Sequence, residues 1–389
     1  MPFASPDVVE KSSLKLLLDH LGTIEDPREP WRVAFPLNEV LFLVVCGTIC
    51  DCDNYELIAD WGKSHLDFLR RYLPYHHGVP GERWLTILMN RLNPTLFSQA
   101  FSAWVQVVWP ERIDQLAIDG KTSRRSHDKA EDRAPLHLVS AFASTSRLVL
   151  AQEAVPDKSG EGAAILLLLD RLGADNGLKD ALVSIDAIAT NATIASAIQA
   201  TGANYLLAVK ANQPTIRAEI ESYFNQAPAK CLLHHDDLDK AHGRIEQRFV
   251  TLSAQTDWLD GQRRFPGEYR LPGAKTIIRV RSRTELEDRC RFDTRFFISS
   301  ASLTAAQAAR AIRNHWQIEN GLHWVLDVTF GEDQSRLRKG HGAKNMALVR
   351  HFAFNLLRQA TDKRSIKRRR KNAGWSTQYL ETILGKLSR

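Results

Sequence analysis

The hydrophobic pattern of the chain changes after Pro110, and this change constrains the fold more than any other feature. Before it, stretches such as LNEVLFLVVCGTI and LFSQAFSAWVQVV carry apolar residues at the three-to-four spacing of helices. After it come three short β-rich runs, QLAIDGK, LHLVSAFAS and RLVLAQEAV, and then helix and strand patterns alternate. Strands that alternate with helices need crossover connections and pair in parallel. The sequence therefore predicts an α/β fold, a mixed sheet with flanking helices that follows a helical N-terminal domain.

The alternation stops after Gln213, where RIEQRFVTLSA, AKTIIRVRSRTEL and TRFFISSA are typical of strands with longer polar connections. The stretch CLLHHDDLDKAHG is interpreted as a solvated loop, and a long helix is predicted to begin near Thr304. We divide the chain into a helical N-terminal domain (1–110), the first part of an α/β core (111–212), a β-rich insertion (213–295), the second part of the core (296–360) and a basic C-terminal tail (361–389).

The positive charge of the chain is concentrated near its C-terminus. The segment KRSIKRRRK, Lys363–Lys371, carries seven basic residues and no acidic one, which accounts for the whole net charge of +7. Such a segment favours a polyanionic partner, most often nucleic acid. A solvated tail without a partner would have the same composition, so charge alone leaves both readings open.

Several classes of protein are disfavoured by composition. The longest apolar run, Val40–Cys50, has 11 residues, short of the roughly 18 that a membrane span needs. The N-terminus has neither the basic nor the apolar region of a signal peptide, so we expect a cytoplasmic protein with no membrane partner. The number of cysteines, five, is odd and does not suggest a disulfide framework. Cys46, Cys50 and Cys52 lack a spacing that is common in zinc sites.

Two aspartates follow apolar, β-branched runs. Asp119 ends the run in LAIDGK and Asp186 ends the run in LVSIDA. Either one alone fits a turn or a helix cap. If their strands are neighbours, the two carboxylates converge at one edge of the sheet, and a glutamate from a helix, Glu319, would complete the cluster. Oxygen ligands without thiolates suit Mg²⁺ or Mn²⁺, and such a set is typical of in-line phosphoryl transfer.

The helical stretch RNHWQIENGLHW aligns His315, Glu319 and His323 at i, i+4 and i+8 along one stripe. The two histidines are about 12 Å apart along a helix axis, too far to share one zinc ion. Glu319 is therefore the informative residue of the stretch. For Trp316 and Trp324 we favour packing in the core, with stacking on an unpaired base as the alternative.

The motifs AIDGKT, DKSGE, SIDA, GANYLLAVKANQ, HGRIEQR and HWQIENGLHWVLDVTFGEDQSRLR occur in this order. With them the chain resembles the H-repeat-associated (ISAs-type) insertion-sequence transposases of the DDE class, from about residue 20 to residue 357. The resemblance implies a ribonuclease H-like catalytic fold with a β-rich insertion before the last catalytic helix. It implies that Asp119, Asp186 and Glu319 are the catalytic and metal-binding residues, with Mg²⁺ as cofactor and Mn²⁺ able to substitute.

The resemblance also implies the partners. They are the terminal inverted repeats of the element, read by the N-terminal helices, and target DNA that receives the 3′-hydroxyl; a homodimer is expected in the synaptic complex. The residues that we expect to contact DNA are Lys121, Lys210, Asn212, Gln213, Arg244, His315, His323, Arg336, Arg338 and Lys339. The stretches VPGERWLTILMN and AIATNA depart from the family pattern. The alternative is therefore a catalytically inactive or domesticated DNA-binding protein derived from a transposase.

Overall fold

Helices form the first part of the chain, as the spacing of its apolar residues predicts. The computed structural model describes residues 13–110, 113–127, 134–187, 190–241, 244–261, 268–286 and 289–385. The helices before Pro110 are α1 (Ser13–Gly22), α2 (Leu37–Ile49), α3 (Tyr55–Ser64), α4 (Leu66–Leu69), α5 (Glu82–Arg91) and α6 (Pro94–Val108). Asn54 and Asn93 begin α3 and α6, where their side chains accept backbone N–H groups.

The apolar run of α2 has a structural explanation, because this helix is buried almost all round. Every residue from Leu37 to Ile49 except Asn38 is buried. A helix that is apolar on all faces lies inside a protein or in a membrane. Among the described helices, none is both long enough and apolar enough to cross a membrane. α2 is thus the central helix of the N-terminal part.

A mixed sheet follows the helices. Its strands are β1 (Gln115–Thr122), β2 (His137–Ala143), β3 (Leu148–Val155), β4 (Leu182–Ile185), β5 (Asn204–Val209), β6 (Leu233–Ala241), β7 (Arg244–Ser253), β8 (Thr276–Glu285) and β9 (Cys290–Ser299). β1, β2 and β3 are antiparallel, whereas β4 is parallel to both β1 and β5. The order β3-β2-β1-β4-β5 with these directions is the ribonuclease H-like arrangement, so the predicted fold class is confirmed. The connecting helices are α7 (Glu161–Gly173), α8 (Ala192–Ala200) and α9 (Pro214–Gln226).

The β-rich segment extends this sheet. β9 pairs antiparallel with β5, and β8, β7 and β6 follow outward, so that the described strands form one nine-stranded sheet. A second, smaller hydrophobic core lies on one face of the added strands, around Val250, Ile278 and Phe297. The boundaries at residues 212 and 295 therefore divide the sequence of a continuous sheet, and their assignment as domain boundaries stays a prediction.

β6 was not expected, because its sequence is strongly charged. The interpretation of CLLHHDDLDKAHG as a solvated loop is wrong for its central part, which pairs with β7 along its whole length. An edge strand tolerates such a composition because one side of its backbone has no strand to pair with. Asp237 lies opposite Arg248 in this pairing and also forms an ion pair with Arg313.

The predicted long helix is interrupted. A capping box between Thr304 and Gln307 begins α10 (Ala305–His315). A π-helical turn, Ile318–His323, then leads into α11 (Trp324–Val328). In this turn the N–H of Trp324 donates to the carbonyl of Glu319, five residues earlier. The extra residue in the turn changes which side chains share a face, and apolar spacing alone does not reveal it.

The C-terminal segment is helical and docks on the N-terminal helices. Its helices are α12 (Gly342–Gln359), α13 (Ile366–Trp375) and α14 (Thr377–Leu384), and both α12 and α13 pack against α2. The expectation of a basic tail is wrong for residues 366–375. Arg369 and Arg370 are buried there, and Arg370 donates to the carbonyl of Thr48 and forms ion pairs with Asp51 and Asp53.

Candidate active site

Two aspartates lie side by side on neighbouring parallel strands. Ile118 of β1 is in register with Ile185, the last residue of β4. The next residue in β1 is Asp119, and the residue that follows β4 is Asp186. Parallel partners in register point to the same face of a sheet. Buried apolar residues precede both aspartates, so the sheet itself fixes the positions of their Cα atoms.

The π-helical turn brings Glu319 and His323 to Asp119. His323 Nδ1 lies 3.6 Å from Asp119 Oδ2 and 3.5 Å from Glu319 Oε2. The ligand atoms of the three residues all lie within 4.8 Å of one another. Asp186 is not part of this group, because its Oδ2 is 2.5 Å from the ammonium of Lys210.

The electrostatics of the group follow from its burial. Burial raises the pKa of Asp119 to about 7; the negative charge of Glu319 adds to this shift and His323 opposes it. The interaction with His323 lowers the pKa of the more exposed Glu319. Two adjacent carboxylates share one proton in this way unless a cation compensates their charge. Two carboxylates and an imidazole are a donor set that fits a divalent cation.

Lys121 was expected to contact phosphate, but its ammonium is held inside the protein. It lies 2.7 Å from Asp327 Oδ1 and 2.6 Å from Glu332 Oε2, and Arg350 lies 3.4 Å from Glu332 Oε1. Burial works against the charge of Glu332, yet Lys121 and Arg350 lower its pKa to about 2. These ion pairs argue against a direct DNA contact for Lys121. Asp327 and Glu332 were missed, although both lie in the motif WVLDVTFGEDQ.

Two of the residues that were predicted to contact DNA, Asn212 and Gln213, lie after β5 and donate hydrogen bonds to residues that follow β4. Asn212 Nδ2 donates to the carbonyl of Ala187 at 3.2 Å, and Gln213 Nε2 donates to the carbonyl of Thr190. Lys210 is half exposed beside Asp186. Asn212 and Gln213 thus hold Ala187 and Thr190 in place, while a phosphate contact of Lys210 stays a prediction.

Neither histidine of the stretch RNHWQIENGLHW is a surface residue. His315 is 8% exposed and its Nδ1 lies 3.1 Å from Ser184 Oγ; burial lowers its pKa to about 4. His323 is 5% exposed. Their burial argues against a direct DNA contact, which stays a prediction. Trp316 packs at the edge of the smaller core, as expected, but Trp324 is 57% exposed, so its assignment to the core is wrong.

The predicted basic residues after α11 lie at the surface. Arg336 and Lys339 are exposed, and Arg338 donates to the carbonyl of Arg125 at 3.2 Å. That bond places Arg338 beside Arg125; Arg124 and Arg125 are exposed and were not predicted, although both lie in KTSRRS shortly after Asp119. Arg244 begins β7, and its side chain lies outside the described part of the chain.

Comparison with known proteins assigns the family. Residues 110–356 match the family described as "Transposase DDE domain", and residues 18–105 match the family described as "DDE_Tnp_1-associated". The chain belongs to the DDE transposase family. It is an insertion-sequence transposase, a DNA-cleaving enzyme that depends on a divalent metal ion.

Relatives cover almost the whole transposase. The "H repeat-associated putative transposase YhhI" of Escherichia coli (strain K12) is 34% identical over 379 residues, 95% of this chain and 98% of the relative. The "Putative transposase YncI" of Escherichia coli O157:H7 is 34% identical over 387 residues, 97% of this chain and 96% of the relative. A solved piggyBac transposase synaptic complex with hairpin DNA aligns with 96% of this chain and 80% of that chain, at 10% identity and a TM-score of 0.43.

Proposed function

We propose that this transposase cuts DNA at the ends of its own element and joins the freed 3′-hydroxyl to target DNA, with Mg²⁺ as its cofactor and Mn²⁺ as a substitute. Asp119, Asp186 and Glu319 would hold the metal. When bound, the ion supplies Lewis acidity and neutralises the charge that builds on the phosphate during in-line transfer. The protein contributes a rigid frame of strands for two of the three carboxylates.

The observation that carries this proposal is the group of Asp119, Glu319 and His323, whose ligand atoms lie within 4.8 Å of one another. Asp186 follows β4, the parallel neighbour of β1, and completes the metal-binding set in this proposal. Carboxylates that are held close together are costly unless a cation or a proton compensates their charge. Lys210 supplies one positive charge to Asp186 in the free protein. Beside a bound DNA strand, the same half-exposed ammonium could pair with a phosphate oxygen.

The partners follow from the same proposal. The enzyme binds the terminal inverted repeats of its element and a target DNA, and it acts as a homodimer in the synaptic complex in the cytoplasm. The helices before Pro110 read the repeats. The exposed residues Arg336, Lys339, Arg124 and Arg125 contact the DNA backbone in this proposal.

A nicking assay on DNA that carries the element's own terminal repeats tests the proposal. The variant Asp186→Asn keeps the shape of the side chain and removes its charge. We expect it to bind the repeats normally in a gel-shift assay and to nick them about 100-fold more slowly or worse in Mg²⁺, because a metal ligand is lost. The matched control is Asp170→Asn on the exposed face of α7, which should leave nicking unchanged.

Equal nicking by Asp186→Asn and the unmodified protein would show that the assignment of Asp186 is wrong. If the unmodified protein binds the repeats and nicks them in neither Mg²⁺ nor Mn²⁺, the alternative of an inactive DNA-binding protein is favoured.

A further inference from the structure

His323 is a buried imidazole whose orientation no neutral partner explains. Its Nδ1 faces two carboxylates, at 3.6 Å from Asp119 and 3.5 Å from Glu319. Its Nε2 is buried and has no hydrogen-bond partner among the described residues. Both contacts of Nδ1 are longer than a good N–H···O hydrogen bond, which lies near 2.9 Å.

These separations match the distances between ligands of a common ion. Nitrogen and oxygen ligands lie about 2.0–2.2 Å from Zn²⁺, Mg²⁺ and similar ions. Two ligands of one such ion, at an angle between 90° and 110°, are therefore about 2.8–3.6 Å apart. The distances from Nδ1 to both carboxylates lie within this interval. Two of the three separations thus suit ligands of one small cation, and the ligand atoms of all three side chains lie within 4.8 Å of one another.

The backbone builds this arrangement with its π-helical turn. Residues four positions apart lie on the same side of a helical turn, and a turn closed by an i→i+5 bond contains one residue more than an α-helical turn. Glu319 and His323 are such a pair, and the N–H of Trp324 closes the turn on the carbonyl of Glu319. π turns are rare and occur often at functional sites.

We propose that His323 Nδ1 is a ligand of the same divalent ion that Asp119 and Glu319 hold. The inference rests on the proposed metal-dependent function and adds a nitrogen ligand to its carboxylates. Mg²⁺ is held by oxygen ligands, whereas first-row transition ions accept imidazole. The site therefore binds Mn²⁺ more tightly, relative to Mg²⁺, than a site of carboxylates alone.

In the competing arrangement a protonated His323 forms ion pairs with the two carboxylates, and its ring moves away from them when the metal ion binds. The two arrangements differ in whether nitrogen is bonded to the metal. Pulsed electron paramagnetic resonance of Mn²⁺ bound to the full-length protein, without DNA, detects that bond as modulation of the echo by ¹⁴N. Protein grown with ¹⁵N-labelled histidine assigns the modulation to imidazole without any substitution.

We expect ¹⁴N modulation in the unmodified protein, its loss in His323→Gln, and its persistence in His315→Gln, where a neighbouring buried imidazole is removed. His323→Gln should also weaken Mn²⁺ binding by about tenfold or more, and Mg²⁺ binding by less. Circular dichroism and gel filtration test whether the variants are folded. If His323→Gln is not folded, the protein with ¹⁵N-labelled histidine decides whether an imidazole binds the metal.

The outcomes separate this inference from the function on which it rests. If Asp119→Asn abolishes Mn²⁺ binding but the unmodified protein shows no histidine modulation, the role of His323 is refuted and the metal-dependent function stands. Modulation that persists in His323→Gln refutes the role of His323 as well. If no Mn²⁺ binds in a manner that depends on Asp119, both proposals fail.

Discussion

Gly120 has no space for a side chain. A Cβ atom at this position would lie 2.5 Å from Glu161 Oε1 and 2.7 Å from His137 Nε2. Those two groups are buried and 2.6 Å apart, and His137 Nδ1 lies 2.7 Å from Thr122 Oγ1. The glycine of IDGK and the glutamate of DKSGE therefore meet in one close contact next to Asp119.

We expect Gly120→Ala to lower the free energy of unfolding by about 1–3 kcal/mol, because the neighbours are held by hydrogen bonds and must move. Gly162→Ala in α7 is the matched control, since a Cβ there meets no described atom within 4 Å. It should stabilise the protein by up to about 1 kcal/mol. Urea unfolding midpoints measure both, and equal midpoints would contradict the close contact.

Single residues can be selected from the sequence where chemistry alone limits their role. A carboxylate after a buried strand has few explanations, so Asp119 and Asp186 could be selected from the sequence. His315, His323 and Lys121 could not be assigned in this way, because a basic side chain can lie at the surface or within an ion-pair network. Only tertiary contacts such as the Lys121–Glu332 pair decide between these possibilities.

Helix α13 carries positive charges of two kinds. Lys367, Arg368 and Lys371 are exposed, whereas Arg370 is fully buried and lies 4.3 Å from the ring of Phe330. The basic segment therefore serves two purposes, with some residues that remain open to a polyanion and others that attach the helix to the rest of the protein.

We expect Arg370→Gln to lower the free energy of unfolding by about 3 kcal/mol, because Asp51, Asp53 and the carbonyl of Thr48 lose their partner. Lys367→Gln, on the exposed side of the same helix, should change it by no more than about 0.5 kcal/mol. The melting temperatures of the two variants and of the unmodified protein measure these changes. Similar melting temperatures would argue against the anchoring role of Arg370.

Most elements could be predicted from the sequence because their hydrophobic periods are strong. The helices before Pro110 and the strands β1 to β5 belong to this class. β6, the π-helical turn and α13 could not, and each for a physical reason. β6 is held by pairing with β7 and shows no apolar alternation. The π-helical turn contains one extra residue, which does not change the composition of the stretch. α13 buries guanidinium groups in place of apolar side chains.

At the scale of the whole molecule, buried histidines make stability depend on pH. Burial lowers the pKa of His315 and of His351 in α12 to about 4. In the unfolded chain these groups have a pKa near 6.5, so their contribution is complete above pH 6.5 and is lost as the pH falls toward 4. Asp119 acts in the opposite direction, because its raised pKa favours the folded state as the pH falls below about 7.

We expect the urea midpoint to fall between pH 7.5 and pH 5, and to fall more steeply in Asp119→Asn, which lacks the opposing contribution. The histidines contribute about 2 kcal/mol each over this interval as an upper estimate. Urea titrations of both proteins at the two pH values measure the effect. A midpoint that is independent of pH in Asp119→Asn would rule out neutral, buried histidines.

The packing of α2 against α12 and α13 has a consequence for copies of such a gene that accumulate mutations. A copy of the gene with a premature stop codon before Ile366 encodes a chain without Arg370, and the end of α2 near Thr48 then loses its cover. Damage at the 3′ end of the gene is thus felt by the helices encoded at its 5′ end. We expect proteases to degrade the truncated proteins, so that few of them persist as inhibitors that compete with the intact enzyme.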